Sequence, residues 1–419
     1  MTSLWTPAPP STAPAADAER VAGALLRGLV GGSADRAGEA ADGDEPRRRP
    51  RARFHRLTVA SIRPLTTDAI EVTFAVPPEL TGEFDYLAGQ HVALRTRIDG
   101  QEVRRSYSLC RAPEAHGGAP GSVGSRISVA IKRDRGGRFS TWAHSALRPG
   151  QEIDVMSPQG TFTSSLADLD GARIAGIAAG SGITPLMALA ASVLARSDSA
   201  RFDLVYTNRR ATDVMFLDDL ADLKDRFPTR FAVHHVLTRE QRSAPLLSGR
   251  IDEKRLRGIL DRLIPPSSVD EWFLCGPFEL VQLCRDVLAD SGVDRRHVRY
   301  ELFTTGEPGE ERPEGGRPVE ALEDEPVRTI AFTLDGQSGS VETPVSADES
   351  ILNAALRVRP DVPYACAGGV CGTCRARLVE GSVTMTENYA LEKEELDRGY
   401  VLTCQSHPTS DRIVVDYDV

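Results

Sequence analysis

From Phe54 onward, polar and apolar residues alternate with a period of two, the pattern of strands with one face in a core and the other in water. The segments "FHRLTVASIRPLTTDAIEVTFAVP", "GQHVALRTRIDGQEVRRSYSL", "SRISVAIKRD" and "QEIDVMSPQGTF" follow one another, separated by Gly, Pro and Asp. Short strands so spaced predict an antiparallel β-barrel over residues 53–164. The period changes at "ARIAGIAAGSGITPLMALAASVLA", where a continuous apolar run enters a glycine turn and then a helix-spaced core. "RFDLVYTNRR", "RFAVHHVLT" and "DEWFLCGPFELVQLCRDVL" repeat the strand-then-helix alternation. Residues 165–303 are therefore expected to form an α/β domain with a parallel sheet covered by helices.

Periodicity lapses in two places. Residues 1–52 are rich in Ala, Pro, Gly and Arg, and cannot bury enough apolar surface to offset ordering entropy, so a disordered extension is expected. Residues 304–326, "TTGEPGEERPEGGRPVEALEDEP", form an acidic Pro/Gly tract that reads as an interdomain linker. After it, "VRTIAFTLDGQSGSVETP" gives two strands around a turn and "DESILNAALRV" a helix, so residues 327–419 read as a compact α+β domain.

Composition narrows the function. A formal net charge of −10 argues against nucleic acid or an anionic membrane as partner, and no apolar run approaches a membrane span. The chain looks cytoplasmic, so its seven cysteines favour metal binding over a disulfide framework.

Four of those cysteines crowd one region. Cys366, Cys371 and Cys374 stand in "YACAGGVCGTC", with Cys404 following after 29 residues. This is the plant-type spacing of a 2Fe–2S cluster. Four thiolates, two sulfides and two ferric ions carry a net negative charge, which needs backbone N–H groups aimed at the sulfurs. Ala367, Gly368, Gly369 and Gly372 are small enough for the backbone to wrap the cluster and adopt positive φ. A structural zinc site is the alternative, but it usually pairs two Cys-x2-Cys knuckles and only one is present. Cys110 and Cys284 read as buried thiols without a role.

Such a cluster takes one electron at a time, whereas a nicotinamide gives two; a flavin converts between them. In "RRSYSLC", Arg105 can neutralise a diphosphate, Tyr107 can lie against an isoalloxazine ring and Ser108 can hydrogen-bond its reactive edge. In "GGRFSTW", Gly136 and Gly137 admit a phosphate, and Ser140 and Thr141 at a helix start offer donors. In "AAGSGITP", Gly180 and Gly182 let backbone approach a pyrophosphate and Thr184 is expected to cap the helix, although the usual third glycine is missing. Arg209 and Arg210 stand where an acidic residue would hold the 2′-hydroxyl of NADH, which favours the 2′-phosphate of NADPH. Cys275, Gly276 and Pro277 end another strand with room for the nicotinamide.

In "RSYS", "GGRFS", "GSGITP" and "CGP", residues 53–303 resemble the ferredoxin–NADP reductase superfamily, and residues 327–419 resemble a plant-type ferredoxin of β-grasp fold. Across 53–419 the chain is similar to the reductase subunits of ring-1,2-phenylacetyl-CoA epoxidases, notably in "ENYALEKEEL" and "LTCQSHPTSDRIVVDYD". The resemblance implies an NADPH-dependent FAD and iron–sulfur reductase that feeds a di-iron oxygenase of phenylacetate catabolism. It implies FAD contacts at Arg105, Tyr107, Ser108, Gly137, Phe139, Ser140 and Thr141, and NADPH contacts at Gly180, Gly182, Thr184, Arg209, Cys275, Gly276 and Pro277. Glu301 and Phe303 would lie near the flavin, with Tyr107, Ser108 and Glu301 at the reacting centre. Ser106, often cysteine in these relatives, is expected to be neutral because it points away from Tyr107 and Ser108. The reductase of a steroid 9α-hydroxylase shares this domain order and is the nearest alternative; a non-enzymatic iron–sulfur adaptor is a remoter one.

Overall fold

The computed structural model describes residues 52–113, 125–303, 325–359 and 361–419. The expected N-terminal extension lies outside the described residues except for its last residue, and the expected linker except for its last two.

Strands β1 (Phe54–Thr66), β2 (Ala69–Ala75), β3 (His91–Ile98), β4 (Gln101–Ser108), β5 (Arg126–Lys132) and β6 (Glu152–Met156) form an antiparallel sheet in the order β4-β3-β6-β1-β2-β5. Its two ends meet: Leu109 bridges Val129, and Cys110 N–H donates to the Ser128 carbonyl at 2.9 Å. The sheet thus closes into a barrel, which leaves no long edge unpaired. Every second residue points inward, as the alternation predicts: Leu57 and Val59, Val72 and Phe74, Val92 and Leu94, Ile127 and Val129. Helix α1 (Arg138–Ser145) adds Phe139 and Ala143 to that core.

The second layer is a parallel sheet of β7 (Arg173–Ala179), β8 (Arg201–Asn208), β9 (Phe231–Leu237), β10 (Glu271–Cys275) and β11 (Val298–Glu301), in the order β11-β10-β7-β8-β9. Its strands are apolar on both faces because helices cover both. α2 (Ile183–Arg196) and α3 (Leu217–Arg226) pack on the face carrying Ile174, Phe202, Tyr206 and Phe273. α4 (Glu253–Arg262) and α5 (Phe278–Asp290) pack on the face carrying Ile177, Val205, Trp272 and Leu274. Strand order reverses between β7 and β10, and their carboxyl ends open the crevice where such sheets bind ligands.

The third layer comprises β12 (Val327–Leu334), β13 (Gln337–Pro344), α6 (Ile351–Val358), β14 (Arg375–Glu380), β15 (Val383–Met385), α7 (Lys393–Asp397), β16 (Tyr400–Leu402), β17 (Ser406–Pro408) and β18 (Arg412–Asp416). The main sheet runs β13-β12-β18-β14-β16, with β12 and β18 parallel and the other pairs antiparallel. Ser350 caps α6 by accepting the Asn353 N–H, and Ile351, Leu352, Ala354 and Ala355 bury its apolar face on the sheet. Barrel, parallel sheet and α+β layer match the expected fold class. Among the described residues no helix is long and apolar enough to cross a membrane.

Candidate flavin, nucleotide and cluster sites

Tyr107 and Ser108 end β4, and strand alternation sends their side chains to opposite faces. The Tyr107 ring packs on Phe139 with centroids 5.7 Å apart. Ser108 Oγ donates to Glu301 Oε2 at 2.8 Å, joining the barrel to β11. Glu301 in turn pairs in register with Cys275 on β10, so Ser108, Cys275 and Glu301 converge from three strands. Burial pushes the Glu301 carboxyl above its ordinary range against the opposing pull of His91 and Ser108. Burial also raises the Cys275 thiol, and Glu301 raises it further. Alternation also corrects one expectation: Ser106 shares a face with Ser108, and its Oγ is buried without a protein partner.

The phosphate loop is built as its glycines suggest. Gly136 has φ +76°, and a Cβ on Gly137 would stand 2.6 Å from Ser140 Oγ. Ser140 Oγ accepts the Asp134 N–H at 3.1 Å, so this hydroxyl braces the loop, and the free N–H groups at the start of α1 are the donors left for a phosphate. Arg105 is exposed nearby, its Nη1 donating to the Arg104 carbonyl at 2.7 Å. An orphaned hydroxyl, a glycine cradle and an aromatic face together suit a flavin with its diphosphate.

Gly180, Gly182 and Cys275–Pro277 meet at the strand-order reversal. A Cβ on Gly182 would lie 2.2 Å from the Cys275 carbonyl oxygen, and one on Gly276 2.9 Å from the Ala179 Cβ, so the two turns touch through glycine alone. Gly180 has φ +54° and its carbonyl accepts the hydroxyl of buried Tyr206 at 2.9 Å. Thr184 is not the helix cap. Gly182 holds the N-cap position of α2 without a side-chain bond, and Thr184 Oγ1 donates to the Ser181 carbonyl at 2.9 Å from inside the first turn. Arg209 lies half-exposed at the end of β8, 3.3 Å from Asp213 and 3.8 Å from Asp68. A 2′-phosphate would have to compete with both carboxylates. Arg210 is exposed beside it.

The four cysteines come together as two pairs. Cys366 lies beside Cys371, and Cys374 beside Cys404. Two pairs of thiols would suit two irons with two thiolates each. Ala367, Gly369 and Gly372 have φ of 48°, 76° and 67°, as the wrap requires; Gly368 does not share the positive φ but donates its N–H to Cys366 Sγ at 3.3 Å. Cys374 and Cys404 sit in the core of their own layer, whereas Cys371 packs on Ala93 and Met156 of the barrel and Cys366 against the parallel-sheet core.

Sequence reading missed the residues that join the layers. The Arg104 guanidinium lies 4.3 Å from the Tyr364 ring, Arg299 reaches Glu392 at 3.7 Å, and Tyr389 meets Phe278 edge-on at 6.1 Å. His91 lines the same cleft as Glu301 and Cys371. Each sits in an ordinary strand or loop string, with no local signal of a partner so distant in sequence. Cys110 and Cys284 are buried, as expected.

Family models match all three layers: an oxidoreductase FAD-binding domain over residues 56–164, an oxidoreductase NAD-binding domain over 177–286 and a 2Fe-2S iron-sulfur cluster binding domain over 332–409. The chain is 39% identical to a component of the 1,2-phenylacetyl-CoA epoxidase of Escherichia coli K12, over 87% of its own length and 98% of that protein. It is 33% identical to the ferredoxin reductase component of 3-ketosteroid-9-alpha-monooxygenase of Mycobacterium tuberculosis H37Rv, over 86% and 95% of the two chains. In fold it is similar to an intact type IV self-sufficient cytochrome P450 monooxygenase, with TM-score 0.59 and 23% identity over 86% of this chain and 41% of that one. With flavin, nicotinamide and 2Fe–2S domains in one chain, the protein is an electron-transfer oxidoreductase, and it belongs to the ferredoxin–NADP reductase superfamily, among the oxygenase reductase components that carry a C-terminal 2Fe–2S domain.

Proposed function

We propose that this reductase draws electrons from NADPH and delivers them to a di-iron oxygenase, a phenylacetyl-CoA 1,2-epoxidase of aerobic phenylacetate catabolism, in the cytoplasm. The observation that carries the partner's identity is the 39% identity along 98% of the Escherichia coli epoxidase component. When bound, FAD supplies the conversion of a two-electron delivery into single electrons.

The chain's own residues have separable tasks in this reading. Arg105, Gly137, Phe139, Ser140 and Thr141 hold the flavin's diphosphate end, and Tyr107 covers its ring. Ser108, whose hydroxyl donates to Glu301 at 2.8 Å, meets the reactive edge, and Glu301 fixes that hydroxyl's direction. Gly180, Gly182 and Thr184 shape the pyrophosphate turn, Arg209 takes the 2′-phosphate, and Cys275, Gly276 and Pro277 leave space for the nicotinamide. Cys366, Cys371, Cys374 and Cys404 would hold the 2Fe–2S cluster. Phe303, packed against the parallel-sheet core, fixes the chain just beyond Glu301.

Reconstitution tests the partner. The purified protein, loaded with FAD and cluster, is mixed with phenylacetyl-CoA oxygenase components or with a 3-ketosteroid 9α-hydroxylase, and substrate-dependent NADPH oxidation is followed. The expected result is turnover with phenylacetyl-CoA. Turnover with the steroid system alone would reassign the partner, as the 33% identical relative suggests.

A further inference from the structure

His91 opens β3, and its neighbour on the same face, Ala93, belongs to the small apolar cluster into which Cys371 of the last layer packs. The His91 side chain is buried at 3% exposure. Its backbone is pinned to Gln159, the two residues exchanging N–H···O bonds of 2.8 and 2.9 Å. Nδ1 stands 3.8 Å from Glu301 Oε1, and a Cβ at Gly160 would come within 2.9 Å of the same nitrogen. On its other side the ring lines the same cleft as Cys371, and its Nε2 is buried there with no hydrogen-bond partner among the described residues. One imidazole therefore stands between Glu301, the acid that fixes Ser108, and a cysteine contributed by another domain.

We propose that His91 is a positioning residue for electron transfer, holding the Cys371 edge of the cluster against the flavin side of the site by directing a ring N–H at the Cys371 sulfur. The proposal rests on Cys371 being a cluster ligand. The transfer moves one electron and no atoms: the negative charge on the cluster side rises by one unit, and the His91 proton stays on its nitrogen. An N–H aimed at a ligand sulfur favours the more negative, reduced state, so it raises the potential as well as fixing distance. Because His91 belongs to the barrel, this donor acts on the cluster only while the last domain is docked.

The test uses the full chain loaded with FAD and cluster, comparing His91→Leu, His91→Gln and His91→Asn with the parent. Iron content and the electron paramagnetic resonance of the reduced cluster establish loading, independently of turnover. The cluster potential is then titrated, and reduction of flavin and cluster by NADPH is resolved by stopped flow. His91→Leu is expected to lower the potential and to slow cluster reduction tenfold or more relative to flavin reduction in the same sample. His91→Gln, which keeps a long amide donor, should recover much of both, and the shorter His91→Asn should not. A parental potential and rate ratio in His91→Leu would overturn the proposal; should that variant fail to load, a parental result in His91→Asn does the same. If Cys371→Ser assembles an unaltered cluster, the ligand assignment falls, and the proposal with it.

Discussion

Arg111→Met should loosen the seam between barrel and parallel-sheet domain. Glu71 on β2 is 4% exposed and accepts from Arg63 Nε at 2.9 Å, Arg111 Nη2 at 2.7 Å and also Arg111 Nε. Across the seam, Asp219 of α3 accepts from Arg63 Nη2 at 2.8 Å and Arg111 Nη1 at 2.7 Å. Removing one partner of a fully buried pair costs about 3–5 kcal/mol. Arg63 remains on both acids and the Arg111 side chain is 35% exposed, so the expected loss is about 2 kcal/mol. Asp219→Asn keeps the shape and forfeits charge, for about 1 kcal/mol. If the four groups act as one unit, the double variant will lose less than the sum by about 1 kcal/mol. Urea unfolding of the FAD-loaded protein, followed by the fluorescence of released flavin, measures all three. A loss below about 0.5 kcal/mol for Arg111→Met, or strict additivity, would refute the reasoning. The pH dependence has a definite sign. Burial raises the Asp219 carboxyl, but Arg63 and Arg111 outweigh it and leave it below the ordinary value. Its contribution is complete above the unfolded value of about 4 and is lost as pH falls through the lower folded value, so Asp219→Asn should flatten the acid limb there.

Cys404→Ser should abolish the visible iron–sulfur absorbance while FAD still binds, and NADPH should then reduce the flavin without passing electrons on; a normal spectrum would remove Cys404 from the ligand set. Arg209→Ala should raise the KM for NADPH roughly tenfold or more while that for NADH shifts less, because a charge-assisted phosphate contact is lost; equal shifts would mean that Asp213 and Asp68 already occupy the guanidinium. Arg104→Ala should raise the undocked fraction about tenfold, and with it the rate at which the cluster reduces an external one-electron acceptor, as expected for losing roughly 1–2 kcal/mol of a desolvated cation–π contact. An unchanged acceptor rate would show that the Tyr364 contact does not hold the domain in place.

Much of this was legible in short strings because the forces involved are local. Alternation through "TVASI" and "IEVTFAV" is the barrel's inside–outside rule, and the strand-end glycines mark places where a Cβ would strike a neighbouring turn, as at Gly182 against Cys275. The cysteine spacing likewise carries its own chemistry, although the division into Cys366 with Cys371 and Cys374 with Cys404 appears only in three dimensions. Thr184 misled because a threonine near a helix start resembles a cap, whereas here a 3-10 turn, Gly180–Gly182, precedes the helix and puts glycine in that place. His91, Arg104, Arg111 and Tyr364 were silent for a different reason. Their partners lie in other domains, and nothing in a strand's own pattern says which surface will dock on it.

The docked arrangement imposes opposing demands. Cys366 and Cys371 face the reductase layers, and Cys374 and Cys404 are only 2% and 8% exposed within their own domain, so an external acceptor has poor access to the cluster while docking holds. Beside the apolar packing of Ala365 and Cys371 on the barrel and of Val370 and Tyr389 on the parallel-sheet core, directed contacts cross this seam. Arg104 over Tyr364 at 4.3 Å contributes about 1–2 kcal/mol, the Arg299–Glu392 pair at 3.7 Å about 0.5, and the edge-on Phe278–Tyr389 pair at 6.1 Å about 1. Together these amount to about 3 kcal/mol, a bias of roughly a hundredfold. These contacts hold the cluster beside the flavin for the internal transfer, and delivery to an external acceptor requires them to be released. A seam as charged and buried as the one around Glu71 would serve the first step and suppress the second, which is a physical reason for the strong clamp to join barrel and parallel sheet while the cluster domain is held by apolar packing, rings and a long ion pair.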